Sequence, residues 1–307
     1  QAGEVLQQIS FAYLYIWGYY ARQIKLHNEL LGHLADYELK MSNLRNLGHA
    51  HYAMGKSTEA LNCFEKALVL AQEAEDRSLE GANLCGQGRI YRDLGDLRRA
   101  VDCLETALGI LREIGERQLE GVCLNRLGRV YLALGRIEQA LNLEEESVAI
   151  ARELGSRRSI GIWSGHLSDV HLALGRPRRV IRLCKRSVRI LRELGDARYE
   201  GIQLGRLGFA FMAMGRTEQA IRFHREALEI ARRIGYRVGE SQQLVGLARA
   251  LLAAGDLPQA CQLCRQAYEL DVPSTVYEAA LILGTIRLHQ DHPAVQWFRD
   301  AADSCRF

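Results

Sequence analysis

Residues 121–140 read Gly121-Val122-Cys123-Leu124-Asn125-Arg126-Leu127-Gly128-Arg129-Val130-Tyr131-Leu132-Ala133-Leu134-Gly135-Arg136-Ile137-Glu138-Gln139-Ala140, and the pattern inside them recurs along the chain. Gly135 has counterparts at Gly55, Gly95, Gly175, Gly215 and Gly255, spaced 40 residues apart. Five residues after each stands Ala60, Ala100, Ala140, Val180, Ala220 or Ala260, and seven before each stands Gly48, Gly88, Gly128, Ser168, Gly208 or Ala248. Between these small residues lie large ones, Leu44, Leu84, Leu124, Leu204 and Leu244 in one segment and Leu68, Leu108, Val148, Val188 and Leu228 in the next. Intervals of three, four and seven place them on one face of a helix. The unit is therefore two antiparallel helices joined at the glycine, which closes the first helix in the left-handed conformation that only Gly adopts cheaply. The second helix ends near Gly115, Gly155, Gly195 and Gly235, where a polar turn leads into the next pair. One such pair cannot bury its own apolar face, so the pairs must stack.

The ends follow the same rule with altered lengths. Gly18 stands 37 residues before Gly55, and Ile24, Leu31 and Leu34 continue the second-helix pattern; residues 273–307 make a shortened final pair about Asp291 and His292. The expected organisation is a single elongated domain: a degenerate capping pair over 1–37, six repeats over 38–272 and the short pair over 273–307, about eight antiparallel pairs in an all-α, right-handed solenoid. Tyr13, Tyr15, Trp17, Tyr19 and Tyr20 crowd the first pair as a cap or a docking patch. Composition agrees with helices, with 4 prolines and 7% aromatics in 307 residues. The 40 basic and 37 acidic residues balance to +3, so any electrostatic message is local. The eight cysteines fall mostly inside apolar helical pattern and read as reduced core residues. No membrane span or leader is visible, which points to a cytoplasmic chain, and a start at Gln1 points to a piece of something longer.

Leu47-Gly48, Tyr91, Tyr131, Gly135 and Ala140 stand where the tetratricopeptide repeat places its Leu-Gly, Tyr, Gly and Ala, and the chain resembles that family from end to end. The usual period is 34. The period of 40 is similar to the longer variety in Partner-of-Inscuteable scaffolds, kinesin light chains and bacterial sensor proteins. Segments such as Ala227-Leu228-Glu229-Ile230-Ala231-Arg232-Arg233-Ile234-Gly235 also resemble the arrays that follow the nucleotide-binding module in bacterial signal-transduction ATPases of the STAND class. The resemblance implies a ligand-sensing arm that binds protein or peptide, with an ATPase module upstream in the same polypeptide; the alternative is a passive scaffold with no coupled ATPase.

Motifs for chemistry are incomplete. Gly55-Lys56-Ser57 imitates the end of a phosphate-binding loop, but Ala50 stands where that loop needs Gly. Cys261 and Cys264 have metal-ligand spacing without a second pair, Cys261 shares its column with Leu61 and Ile221, and His289 with His292 is equally incomplete. No nucleophile or acid–base pair presents itself, so neither an enzyme nor a cofactor or metal is expected.

The first helices carry a basic, variable column pair. One reads His49, Arg89, Arg129, Asp169, Phe209, Arg249; the other reads Asn46, Gly86, Arg126, His166, Arg206, Gly246, with Arg45 and Asn125 beside them. In families resembling this one these columns line the concave groove, so the candidate ligand-binding set is Arg45, Asn46, His49, Arg89, Asn125, Arg126, Arg129, His166, Arg206 and Arg249. Guanidinium groups there suit an acidic or phosphorylated partner. The competing reading is that they pair with Asp93, Asp169 or nearby glutamates. A second basic cluster, Arg178, Arg182, Lys185, Arg186, Arg189 and Arg192, is set against Glu144, Glu145 and Glu146 one repeat earlier. With that offset, neither nucleic acid nor a membrane is an expected partner.

Overall fold

The computed structural model describes residues 20–31 and 37–289. Among them are fourteen α-helices and no strand. The chain forms two compact units, Gln1–Gly155 and Ser156–Phe307. The first holds α1 (Tyr20–Leu31), α2 (Tyr37–Ala53), α3 (Ser57–Glu73), α4 (Arg77–Asp93), α5 (Leu97–Glu113), α6 (Arg117–Ala133) and α7 (Ile137–Glu153). The second holds α8 (Arg157–Ala173), α9 (Pro177–Glu193), α10 (Ala197–Met212), α11 (Thr217–Arg233), α12 (Arg237–Ala253), α13 (Leu257–Glu269) and α14 (Pro273–His289). Tyr13, Tyr15, Trp17, Tyr19, Gly18, Leu34 and the segment 290–307, which includes His292 and Cys305, lie outside the described residues.

Within each unit every helix packs on its chain neighbours. The first helices of successive pairs also touch, α2 on α4 and α4 on α6 in one unit, α8 on α10, α10 on α12 and α12 on α14 in the other. Among the described residues the second helices make no comparable contacts with each other. A row of crowded first helices and splayed second helices gives each unit an inner face built from the first helices.

The glycines that close the first helices all have positive φ, from 65° at Gly175 to 86° at Gly255. At the other junction Gly115, Gly155, Gly195 and Gly235 do the same, but Glu75 occupies that role with φ 53°. Asp76, Asp96, Asp196 and Asp256 cap the following helices by accepting the amide N–H three residues on.

The small residues of the first helices have a specific partner sixteen positions later. A Cβ on Gly48 would lie 2.8 Å from the Phe64 ring, one on Gly88 2.5 Å from Leu104, one on Gly128 2.9 Å from Glu144 and one on Gly208 2.5 Å from His224. Where the small residue is Ser168 or Ala248, the partner shrinks to Cys184 or Cys264. All six partners are fully buried. Volume is conserved across the pair, as close packing demands.

Much of the arginine is structural. Arg112 and Arg117 both donate to Glu120, at 3.0 and 2.6 Å, and reach on to Glu146 and Glu153. Arg192 bridges Glu200 and Glu226 in the same way, and Arg232 holds Glu240. Gly55-Lys56-Ser57 is the ordinary turn between α2 and α3. No helix among the described residues is long and apolar enough to cross a membrane.

Candidate functional site: the inner faces

In the first unit α2, α4 and α6 bring Arg45, His49, Arg89 and Arg126 into one basic cluster. His49 sits with its ring edge-on to Phe64, centroids 5.1 Å apart, and its Nδ1 faces Arg89 Nη2 at 3.1 Å. Burial, and then the charges of Arg89, Arg126 and Arg45, hold its protonation well below the usual histidine range. The imidazole is therefore neutral, and its Nδ1 accepts from the Arg89 guanidinium. Arg89 lies 3.9 Å over the Tyr52 ring, and the Tyr52 hydroxyl donates to Asp93, which also accepts from Arg92 Nε at 2.8 Å. Stacking and hydrogen bonding fix the Arg89 plane.

Arg126 reaches back to α4. Its Nη1 donates to the Cys85 carbonyl oxygen at 2.8 Å and approaches Cys85 Sγ at 3.2 Å. A hydrogen bond from Cys123, together with the charges of Arg126 and Arg89, lowers the Cys85 thiol against the opposing pull of burial. Cys123 is raised, by that same contact and by burial, and its Sγ lies 3.2 Å from the Leu104 carbonyl oxygen.

Asn125 turns the other way. It is buried and donates from Nδ2 to Glu144 at 2.6 Å, inside the helix pair. Asn46 and Arg129 are half-buried on α2 and α6.

The second unit treats the same columns differently. Arg206 forms a bidentate pair with Asp169, Nε to Oδ1 at 2.7 Å and Nη2 to Oδ2 at 2.6 Å. Arg249 pairs with Glu278 at 3.2 Å. His166 is half-buried on α8, and Phe209 packs edge-on to the buried His224 at 4.9 Å. Arg206 finds its carboxylate 37 residues back, and the residue 37 back from Arg126 is Arg89. The two units thus place like charge and opposite charge at equivalent positions.

Reading the sequence by columns missed Tyr52 and Cys85, which shape the first cluster from within, and Glu144, which takes Asn125 out of it. The signal for Glu144 was present, since a carboxylate in the column of Phe64 and Leu104 needs a buried donor. No group of three or more metal-ligating side chains is assembled among the described residues.

A family model described as "Tetratricopeptide repeat" matches residues 39–113, 84–153, 122–193 and 199–271. No curated protein sequence matches the chain. Among solved structures, the chain is similar to a Signal Transduction ATPase with Numerous Domains (STAND) that carries a tetratricopeptide repeat sensor, from Pyrococcus horikoshii, with TM-score 0.68 and 14% identity over 98% of this chain. The similarity spans only 46% of that protein's length. A Rap protein complexed with competence and sporulation factor aligns with TM-score 0.73 and 13% identity over 91% of this chain and 78% of its own. The apo quorum sensor NprR from B. thuringiensis aligns with TM-score 0.72 and 14% identity over 94% and 86%.

Proposed function

The chain belongs to the tetratricopeptide repeat family, a non-catalytic interaction fold, and on that premise we propose that it is the ligand-sensing arm of a larger STAND-type signalling ATPase and grips an acidic or phosphorylated protein segment on the inner face of its first unit. One observation carries the choice of face and of ligand. Arg126 occupies the column of Arg206, and the position that supplies Arg206 with a carboxylate holds Arg89 in the first unit. The Arg89 and Arg126 guanidinium groups, with Arg45 and a neutral His49 beside them, gather cationic donors at a register position where the second unit holds a carboxylate, and in this reading an incoming carboxylate or phosphate adds charge-assisted bonds to them. Arg206, Arg249 and Asn125 are already engaged and serve structure in this reading.

The sensor role rests on the likeness to the STAND protein's repeat sensor and to the Rap and NprR structures, one of them holding a signalling factor. Repeats that contact only their neighbours let small rotations add along a stack, which suits passing a binding event to an attached module. The test is fluorescence anisotropy with synthetic peptides graded from neutral to glutamate-rich to phosphoserine-bearing. Affinity should rise with negative charge and fall about tenfold in Arg126→Ala, the loss of one charge-assisted contact. Affinity indifferent to peptide charge, or to Arg126, would remove the assignment.

A further inference from the structure

The second unit carries a charged face that its inner-face arginines do not use. On α9, Arg178, Arg179, Arg182, Lys185, Arg186 and Arg189 are all exposed. None of the six is in an ion pair with another described residue, whereas Arg192 at the end of the same helix is held by Glu200 and Glu226. The expected offset by the glutamates one repeat earlier does not materialise for two of the three, for reasons internal to the first unit. Glu144 is fully buried and bonded to Asn125, and Glu146 is paired with Arg112 at 2.6 Å.

The field is not confined to α9. Arg222 and Arg225 on α11 occupy the columns of Arg182 and Lys185, and Arg265 on α13 extends the second column; all three are exposed. The corresponding exposed residues of the first unit are Glu65, Glu105 and Glu145. One column of the second helices therefore reads Glu, Glu, Glu in the first unit and Lys, Arg, Arg in the second. A column that only needed to be soluble has no reason to sort its charges by unit.

From these positions we propose that the outer face of α9, continued by Arg222 and Arg225 on α11, is a docking surface for the phosphate backbone of double-stranded nucleic acid. Arg178, Arg182, Lys185 and Arg189 follow the i, i+4, i+7, i+11 rule of one helix stripe and lie eleven residue steps apart from first to last, about 16 Å at 1.5 Å per step. Phosphates on one duplex strand advance about 3.4 Å each, so that length spans roughly five of them. Arginine, which makes five of the six exposed cations, grips phosphate oxygens bidentately. The exposed positions of the stripe hold no aromatic side chain on which unpaired bases could stack. They hold no apolar anchor of the kind that centres a protein interface. The apolar side of α9, Val180, Cys184, Val188, Ile190 and Leu191, is enclosed in the unit's core, so nothing remains to enter a lipid surface.

This surface lies on the second helices and is independent of the inner-face ligand, so either can fail without the other. The experiment titrates the whole chain into a fluorescein-labelled duplex DNA of arbitrary sequence, read by anisotropy across a salt series. Four to six phosphate contacts give a slope of log affinity against log salt between about −3.5 and −5.5, and a loss of about a hundredfold or more between 50 and 200 mM. The triple variant R182E/K185E/R189E should abolish binding, and R182Q/K185Q/R189Q, gentler on folding, should weaken it at least tenfold. A matched control, K66Q/R98Q/R152Q, removes as many charges from exposed positions of the first unit and should leave affinity unchanged. Equal loss in the control would reduce the effect to net charge and overturn the site. So would absent binding at 50 mM salt, or tighter capture by phosphatidylserine vesicles than by the duplex.

Discussion

Arg126 and Arg206 are two repeats apart and occupy one column, yet they are held by different chemistry. Arg206 closes a two-bonded ring with Asp169, while Arg126 rests on the carbonyl oxygen and sulfur of Cys85 because the position that would supply its carboxylate is Arg89. The outer helices show the reverse inequality, acidic in the first unit at Glu65, Glu105 and Glu145 and basic in the second at Lys185, Arg225 and Arg265. A repeat architecture fixes where side chains sit and leaves their sign free. Similar repeats can thus gather cationic side chains on the inside of one unit and on the outside of the other.

The contrast is broken most completely by Arg89→Asp. The variant gives Arg126 the partner that Arg206 has, removing one guanidinium from the cluster and occupying another. Affinity for an acidic peptide should fall about a hundredfold, the loss of two charge-assisted contacts, with little change in melting temperature. Anisotropy and calorimetry on the same preparation check both halves. Retained affinity would mean that the register comparison misidentifies the ligand site.

The opposite exchange reads stability. Asp169→Ala leaves Arg206, whose side chain is 15% exposed, without its bidentate acceptor. Denaturant unfolding should show a loss of about 1–3 kcal/mol, the cost of a largely buried donor left unmade. Arg126→Ala in the first unit should cost less, since only one of its guanidinium nitrogens is held, by the Cys85 carbonyl oxygen and sulfur, in place of a bidentate carboxylate pair. Equal losses would erase the distinction drawn between a structural and a receptive arginine.

The architecture was open to reading because glycine at positive φ and small residues at fixed intervals are local demands that one residue type meets. The period, the closing role of Gly55 and its equivalents, and the buried column of Ala60 all follow from that. Glu75 was hidden for the same reason, being a non-glycine residue in a glycine's place with φ 53°. The candidate site was legible as a face and only partly as a set of contacts. Which arginine is answered depends on offsets of 37 or 41 residues between neighbouring pairs, and no helical periodicity contains those numbers. Asn125 was misleading because its column lies at the boundary between the groove and the helix pair, and a single buried carboxylate, Glu144, decides which way it turns.

The smallest expected effect separates the units by their histidines. His49 and His224 are both held below the usual histidine range, His224 by burial alone against the hydrogen bond its Nδ1–H donates to Gln243 Oε1, and His49 by burial with the charges of Arg89, Arg126 and Arg45. In the free protein burial, the largest cause for both, makes them contribute with the same sign. Each stays neutral in the fold while the unfolded chain takes up a proton below about pH 6.5, so stability is full above that pH and declines beneath it. An anion bound among the arginines changes only His49, because cancelling their charge relieves part of what suppresses its imidazolium. Ligand binding to the first unit should then draw in a fraction of a proton and tighten a few-fold between about pH 7 and pH 6. Calorimetric titration in two buffers of different ionisation enthalpy measures that uptake directly. His49→Gln should abolish it and His224→Gln should leave it untouched; uptake that survived His49→Gln would place the anion elsewhere than beside Arg89 and Arg126.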